Sequence, residues 1–343
     1  MTVQETPERR DYYRRLGARH VLPLWVDTHR YVPMAPTPNY APAVWHYDEL
    51  RPLLMEAGRL VTAAEATRRV LVLQNPSLDG FQGTTRSLYA CLQLILPGEV
   101  APDHRHTQSA LRFVIEGTGG YTVVDGERVP MATGDFIITP SWAWHGHGHE
   151  GDGPMVWLDG LDNGLLNLLD TTFVELSRPG GPANPRPEGD ALARFGANLL
   201  PVDYAGGGAT SPLVHYPYAR SREALARLER AGPIDPCHGV KMRFVNPATG
   251  GDAMPTMAVF VQLLPRGFAG ATYRSTDGTV FVAAEGEGRT IVGDTVLDWS
   301  PRDVFVVPSW MPHRHEASSE AVLFSFSDRA VQDKLGLWRE ARA

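Results

Sequence analysis

Gly98-Glu-Val-Ala-Pro-Asp-His104-Arg-His106 and, one short hairpin later, Gly134-Asp-Phe-Ile-Ile-Thr-Pro140-Ser-Trp-Ala-Trp-His145 decide the reading of this chain. On a strand, residues two apart point to the same side, so His104 and His106 can grip one ion from one face. A third imidazole from a later strand, His145, would complete a metal site. A lone His-x-His is weak evidence. Two segments in order, each with its glycine at the same spacing and the second with a proline, are specific.

Working outward, Val70 to Glu175 reads as short alternating strands separated by Gly, Pro and Asp turns such as Val124-Asp125-Gly126-Glu127. A second strand-rich block from Ala258 to Asp328 repeats the first. Leu96-Pro-Gly98 answers Leu264-Pro-Arg-Gly267, Val114-Ile-Glu-Gly-Thr-Gly119 answers Ala283-Ala-Glu-Gly-Glu-Gly288, and Asp135 to Trp142 answers Asp303 to Trp310. His145 answers His313. The offset is 169 residues from Gly98 to Gly119 and 168 from Asp135 to His145, a drift of one residue that fits a changed turn. The repeat fails at the metal positions, where Tyr273 and Ser275 replace His104 and His106. One metal site per chain is therefore expected.

With 343 residues the chain has room for one large or two ordinary domains. Its 43% hydrophobic and 21% charged content describe a globular protein with ample core. A net charge of -7 with no Lys/Arg-rich run argues against nucleic acid as a partner. Cys91 and Cys237 are the only cysteines, which fits a reducing cytoplasm. The charged segment Met1 to Arg15 has no apolar leader core, and no apolar stretch approaches the ~20 residues that span a bilayer, so no membrane partner is expected.

The expected division is an N-terminal arm with helices over 1–69, a metal-binding barrel over 70–176, a linker with a helix over 177–257, and a second barrel without metal over 258–343. Within the arm, Pro7 to Gly17 reads as a charged helix, residues 31 to 46 as an irregular proline-rich segment, and Tyr47 to Arg69 as one helix with Leu50, Leu53, Leu54 and Leu60 on one side. Pro and Gly mark 177–212, including Arg178-Pro-Gly-Gly-Pro, as the linker, and Ser221 to Arg230 as a short helix.

The layout of glycine, His-x-His, proline and third histidine resembles that of the cupin barrel. Its implied fold is mainly β: a bicupin of two tandem double-stranded β-helix (jelly-roll) barrels with short helices. A typical cupin carries a Glu four residues after the second histidine; here that position is Ala110. Three neutral imidazoles on an octahedral metal leave three positions open and leave the full +2 charge for an anionic substrate to neutralise. Arg112 shares the metal-facing parity with Ala110, and its planar fork suits a carboxylate, or else a structural Asp or Glu. Tyr89, Cys91 and Gln93 share a face of the preceding strand and would line the pocket or pack the interior. His147 is a candidate for polarising a substrate hydroxyl or accepting its proton, or for a supporting hydrogen bond. Asp159 could reach the pocket from the next strand. Trp142, Trp144, Trp157 and Trp310 read as core.

The segments Ser87 to Val100, His104 to Gly117, Gly134 to His145 and Tyr273-Arg-Ser-Thr-Asp-Gly-Thr-Val-Phe281 resemble the gentisate 1,2-dioxygenase family of bicupin ring-cleaving enzymes, which includes salicylate and 1-hydroxy-2-naphthoate dioxygenases. The resemblance runs from about residue 45 onward. It implies that His104, His106 and His145 bind Fe(II), that Arg112 holds the substrate carboxylate beside Gln93, His147 and Asp159, and that Arg68 and Arg69 are further anion contacts. The implied reaction is ring cleavage by O2 between the carboxyl- and hydroxyl-bearing carbons of an aromatic hydroxy acid, giving maleylpyruvate from gentisate. Family members are commonly homotetramers. The family often has Gly where this chain has Cys91, which makes salicylate, a nitro- or halo-salicylate or 1-hydroxy-2-naphthoate the alternative substrate. Two other readings compete: a non-catalytic bicupin that binds a small acid, and a cupin decarboxylase or isomerase.

Overall fold

The alternating segments form antiparallel strands, and the computed structural model describes residues 6–80, 83–176 and 185–342. The start of the expected linker, with Arg178-Pro-Gly-Gly-Pro, lies outside the described residues. Residues up to Asn39 form one compact unit and Tyr40 onward another. In the first, the helix Pro7–Gly17 appears with its predicted bounds, capped by Thr6, whose Oγ1 accepts from the Arg9 N–H at 3.3 Å.

In the second unit, the helix predicted from Tyr47 to Arg69 stops at Leu60. Thr62 starts a new turn, Ala63–Ala66, through a capping box: its Oγ1 accepts from the Glu65 N–H, and Glu65 Oε2 accepts from the Thr62 N–H at 2.9 Å. The later helix runs Tyr218–Ala231, longer at its start than the predicted one.

Two barrels follow the predicted repeat. In the first, a six-stranded sheet runs His215–Tyr216, Phe136–Thr139, Ala110–Glu116, Met155–Leu161, Tyr89–Ile95, Arg69–Val72. It faces a five-stranded sheet of Val174–Glu175, Val100–His106, His145–His149, Gly120–Val124 and Glu127–Pro130. The second barrel repeats this with sheets centred on Ala321–Ser327 and on His313–Ala317. Its larger sheet takes in two strands from outside the 258–328 block, Ala43–Trp45 and Val240–Arg243.

Strand parity then does two jobs. On Ala110–Glu116, Leu111 and Phe113 point to the other barrel, where Phe113 stacks on Phe324 with ring centroids 4.3 Å apart. Gly160 is small because a Cβ there would stand 2.7 Å from the Phe326 ring. Alternate residues Ala110 and Arg112 therefore turn into their own barrel. The repeat extends to backbone detail. Trp142 and Trp310 both adopt positive φ, 66° and 61°, a conformation that costs a non-glycine residue about 1–3 kcal/mol. The Trp142 N–H donates to the His106 carbonyl at 2.8 Å, and the Trp310 N–H donates to the Ser275 carbonyl at 2.6 Å. Each indole also lies against an arginine, Arg105 or Arg274. The turn after Pro140 is thus pinned to the His-x-His strand just before it delivers His145.

Candidate active site

His104 and His106 share one face of Val100–His106, and His104 stands directly opposite His145 across the antiparallel pair. The register slips between Ala101 and His104, where Pro102 has no N–H to give the ladder. The ring centroids are 4.1 Å apart for His104 and His145, 4.8 Å for His106 and His145, and 5.2 Å for His104 and His106. One candidate ligand atom from each lies within 4.8 Å of the others. Nitrogens about 2.1 Å from one ion stand at most about 4.2 Å apart, so a small rotation of one ring closes the difference.

The rings are oriented from behind. Nδ1 of His106 lies 3.0 Å from the Gln108 carbonyl and Nδ1 of His145 lies 3.0 Å from the Ala143 carbonyl. A proton on Nδ1 satisfies those carbonyls and leaves the Nε2 lone pair for a metal. His104 Nδ1 is 3.2 Å from the His145 carbonyl and 2.6 Å from an Arg68 nitrogen. One nitrogen cannot donate to the first and accept from the second, so these contacts are alternatives. Burial, with Arg68 adding, pushes His104 down to about 3, and burial takes His106 down to about 4. Burial and Arg112 hold His145 well below the usual histidine range. All three are neutral donors at neutral pH. The donor set fits a divalent metal. The position of the usual fourth, carboxylate ligand is Ala110, which lines the cavity.

That cavity, about 340 Å³, takes in most of the predicted site: Tyr89, Cys91, Gln93, His147, Asp159, Arg68 and Arg112 all line it with the three histidines. Arg112 is almost fully buried. Its Nη1 donates to Thr139 Oγ1, and its Nη2 donates to His147 Nε2 at 3.3 Å. Its Nε faces Asp159 Oδ1 at 3.4 Å. Asp159 Oδ2 accepts from the Trp157 indole N–H at 3.0 Å, while burial pushes the carboxyl up to about 6 against the pull of Arg112. Trp157 is core, as predicted, and it also holds Asp159. His147, well below the usual histidine range through burial and Arg112, takes the Arg112 hydrogen bond on Nε2 and so carries its proton on Nδ1. Among the described residues Arg68 bonds only the Pro102 carbonyl and His104 and its Nε has no partner; burial and Arg112 push it down to about 10.

Arg69 is not part of the site. Its side chain leaves by the opposite face, donating to the Val61 carbonyl at 2.8 Å and pairing with Glu99. His149 is turned to the Gly153 carbonyl. Sequence reading missed Val70, Leu161 and Thr139. Val70 and Leu161 line the cavity, but an aliphatic residue on a strand carries no mark that separates lining from core. In the second barrel Tyr273 faces His313 as His104 faces His145, and no second trio of metal-ligating side chains occurs among the described residues. Nor is any helix among them long and apolar enough to cross a membrane.

Comparison with known proteins follows the same lines. Residues 91–160 match the family described as Cupin domain. Over 337 residues, 98% of this chain and 97% of the relative, the sequence is 55% identical to gentisate 1,2 dioxygenase 1 of Aquipseudomonas alcaligenes. It is 36% identical to 5-aminosalicylate 1,2-dioxygenase of Comamonas sp, over 95% of this chain and 88% of that one. The crystal structure of salicylate 1,2-dioxygenase from Pseudoaminobacter salicylatoxidans with gentisate matches 100% of this chain and 96% of its own, with a TM-score of 0.91 at 34% identity. With the fold, the three-histidine group and these full-length likenesses in agreement, the chain belongs to the bicupin family of gentisate and salicylate 1,2-dioxygenases.

Proposed function

We propose that the protein is an Fe(II)-dependent dioxygenase that uses O2 to cleave gentisate between its carboxyl- and hydroxyl-bearing carbons, giving maleylpyruvate. The observation that carries this reading is the sharing of one cavity by three neutral histidines and two arginines. The likeness to a gentisate dioxygenase at 55% identity supports the substrate. Iron held by His104, His106 and His145 would supply the redox chemistry that lets O2 attack the ring. The other roles fall to the chain itself. Arg68, which pairs with no carboxylate among the described residues, and Arg112 would take the substrate carboxylate. Asp159 balances part of the Arg112 charge, and Thr139 and His147 fix the guanidinium plane. In its Nδ1–H tautomer His147 offers a donor to a substrate oxygen rather than a base. Tyr89, Cys91 and Gln93 form the wall against the ring, and the buried surroundings keep bulk water away.

A second reading, a 5-substituted salicylate, is favoured by one feature: the Cys91 side chain occupies the cavity wall. We also infer a homotetramer. The unit ending at Asn39 leaves Leu22, Trp25, Tyr31, Val32 and Met34 exposed, an apolar surface that another subunit would cover. Sedimentation at working concentration tests the assembly. Oxygen uptake by iron-loaded protein tests the activity: one O2 consumed per gentisate, with maleylpyruvate as product, is the expected result. Uptake confined to salicylates would move the assignment to the second reading, and no uptake with any 2-hydroxybenzoate would overturn both.

A further inference from the structure

The second barrel keeps the inward register of the first and changes what that register presents. Val70 stands opposite Gln93 in the first barrel; Lys241 stands opposite Gln262 in the second. Cys91 is opposite Asp159, and Phe260 is opposite Ser325. An amine has replaced a valine, and the carboxylate of the first barrel has no counterpart.

Lys241, Met242, Phe260 and Tyr273 line a cavity of about 560 Å³. The Lys241 ammonium lies 4.8 Å from the centre of the Phe260 ring. The acids around it are engaged elsewhere. Asp235 binds Arg342 at 2.5 Å, Glu340 accepts from the Tyr273 hydroxyl at 2.9 Å, and Asp277 accepts from the Trp338 indole at 2.9 Å. Among the described residues no carboxylate comes within ion-pairing distance of Lys241. Burial pushes the ammonium down to about 8 against the opposing pull of Asp277, so it is still charged at neutral pH. Beside it in the register, both polar atoms of the Gln262 amide are buried with no partner, and so is Ser325 Oγ. Buried polar groups are ordinarily satisfied, at a cost of about 1–3 kcal/mol when they are not. An unpaired cation on an aromatic wall, with orphaned polar groups behind it, has the composition of a ligand site.

We propose that the second barrel binds a small organic carboxylate, its anion held by Lys241 and its apolar body packed on the Phe260 ring. A single ammonium suits a monoanion, and the apolar wall favours a carboxylate with a hydrocarbon or ring body over a fully hydrated inorganic anion. The site is separate from the three-histidine cavity and would hold its ligand whatever the first barrel turns over.

Equilibrium dialysis of the full-length iron-loaded protein against benzoate tests this. The wild type should bind two benzoates per chain. Lys241→Met, an apolar side chain of similar length, should bind one, with at least a tenfold loss at the second site and unchanged oxygen uptake. Arg112→Ala should lose the other. Lys241→Gln, which keeps a polar head, guards against a folding defect in the methionine variant and should lose the same benzoate. Benzoate binding that is the same in the wild type and in both Lys241 variants overturns the proposal. Inorganic phosphate is the second arm: displacement of the Lys241-dependent benzoate at equal concentration would mean that the apolar wall contributes nothing, and the carboxylate assignment would fall.

Discussion

Arg112 Nε lies 3.4 Å from Asp159 Oδ1, and neither atom makes a hydrogen bond. The two residues are direct partners across adjacent strands, so their backbones fix the approach. Charge is balanced there without being consumed: the pair neutralises a buried guanidinium while leaving unfilled hydrogen-bonding capacity on both sides. An incoming carboxylate would share Arg112 with Asp159 and meet a second cation, Arg68, across the cavity.

Arg112→Ala should therefore keep its iron and lose carboxylate substrates. Removing one partner of a desolvated charge pair costs about 2–5 kcal/mol, or roughly 30-fold to a few thousandfold in kcat/KM. It also strands Asp159, so the variant should melt lower, and adding Asp159→Asn should restore part of the loss. Thermal melts of the two single variants and the double variant give the coupling. Additive effects would show that the two side chains act independently, and a near-normal kcat/KM in Arg112→Ala would remove it from substrate binding.

Metal content should be one iron per chain. His104, His106 and His145 meet at one point, whereas His313 has Tyr273 opposite and Ser275 nearby on the same strand. Elemental analysis of the wild type and of His104→Ala checks this: the variant should fall to background. Chelation should lower the melting temperature of the wild type, because ligand bound only to the native state stabilises it by mass action. Two metals per chain, or a full complement in His104→Ala, would sink the assignment.

The three histidines, Arg112 and the wall residues Tyr89, Cys91 and Gln93 were legible because strand parity is a rule of geometry: once His104 and His106 fix which face is inside, alternation carries the answer along each strand. The tandem repeat was legible for the same reason, since Pro140-Ser-Trp142 and Pro308-Ser-Trp310 are turn chemistry. Neither rule separates Arg68 from Arg69, two adjacent arginines at a strand start of which one enters the cavity and the other pairs with Glu99. Val70 carried no mark in the sequence, because only tertiary contacts distinguish a cavity wall from packing. The helix break at Thr62 lay in a capping box that the leucine spacing across 47–69 obscured.

A pH dependence of stability should come from the junction of the barrels. Ser87 Oγ, from the first barrel, donates to Asp328 Oδ2 at 2.7 Å, and the Gly278 N–H donates to Oδ1 at 3.0 Å. Burial, with Asp277 adding and Ser87 opposing, pushes the Asp328 carboxyl up to about 7 from an ordinary 3.8. Between those values the folded chain holds a proton that the unfolded chain has released. This contribution is therefore full below about pH 4 and lost as pH rises toward 7, with a ceiling of about 4 kcal/mol. Asp328→Asn cannot titrate. Urea denaturation at pH 4.5, 6 and 7.5 should show the wild type losing ground to the variant as pH rises; parallel curves would mean that Asp328 does not carry the effect.

Cys91 should set which ring substituent fits. Its Cα pairs with Asp159 on one side and Val72 on the other, and its side chain lines the cavity. Burial, with Asp159 adding, pushes the thiol well above the usual range, so it stays protonated and acts through its volume. In a close-packed wall even a methylene-sized change is felt. Such a change discriminates substrates by about 1–3 kcal/mol, or roughly tenfold to two-hundredfold. Cys91→Gly should thus keep its iron and redistribute kcat/KM among gentisate, salicylate and 5-substituted salicylates. A glycine in the strand costs about 1 kcal/mol of stability, which a melt measures separately from the substrate ratios. The ratios are the decisive readout, because a general loss of stability scales all substrates together while a change in wall shape does not. An unchanged order and spacing of kcat/KM across the panel would show that Cys91 does not shape ring specificity, and the search would move to Val70 and Leu161 in the same cavity.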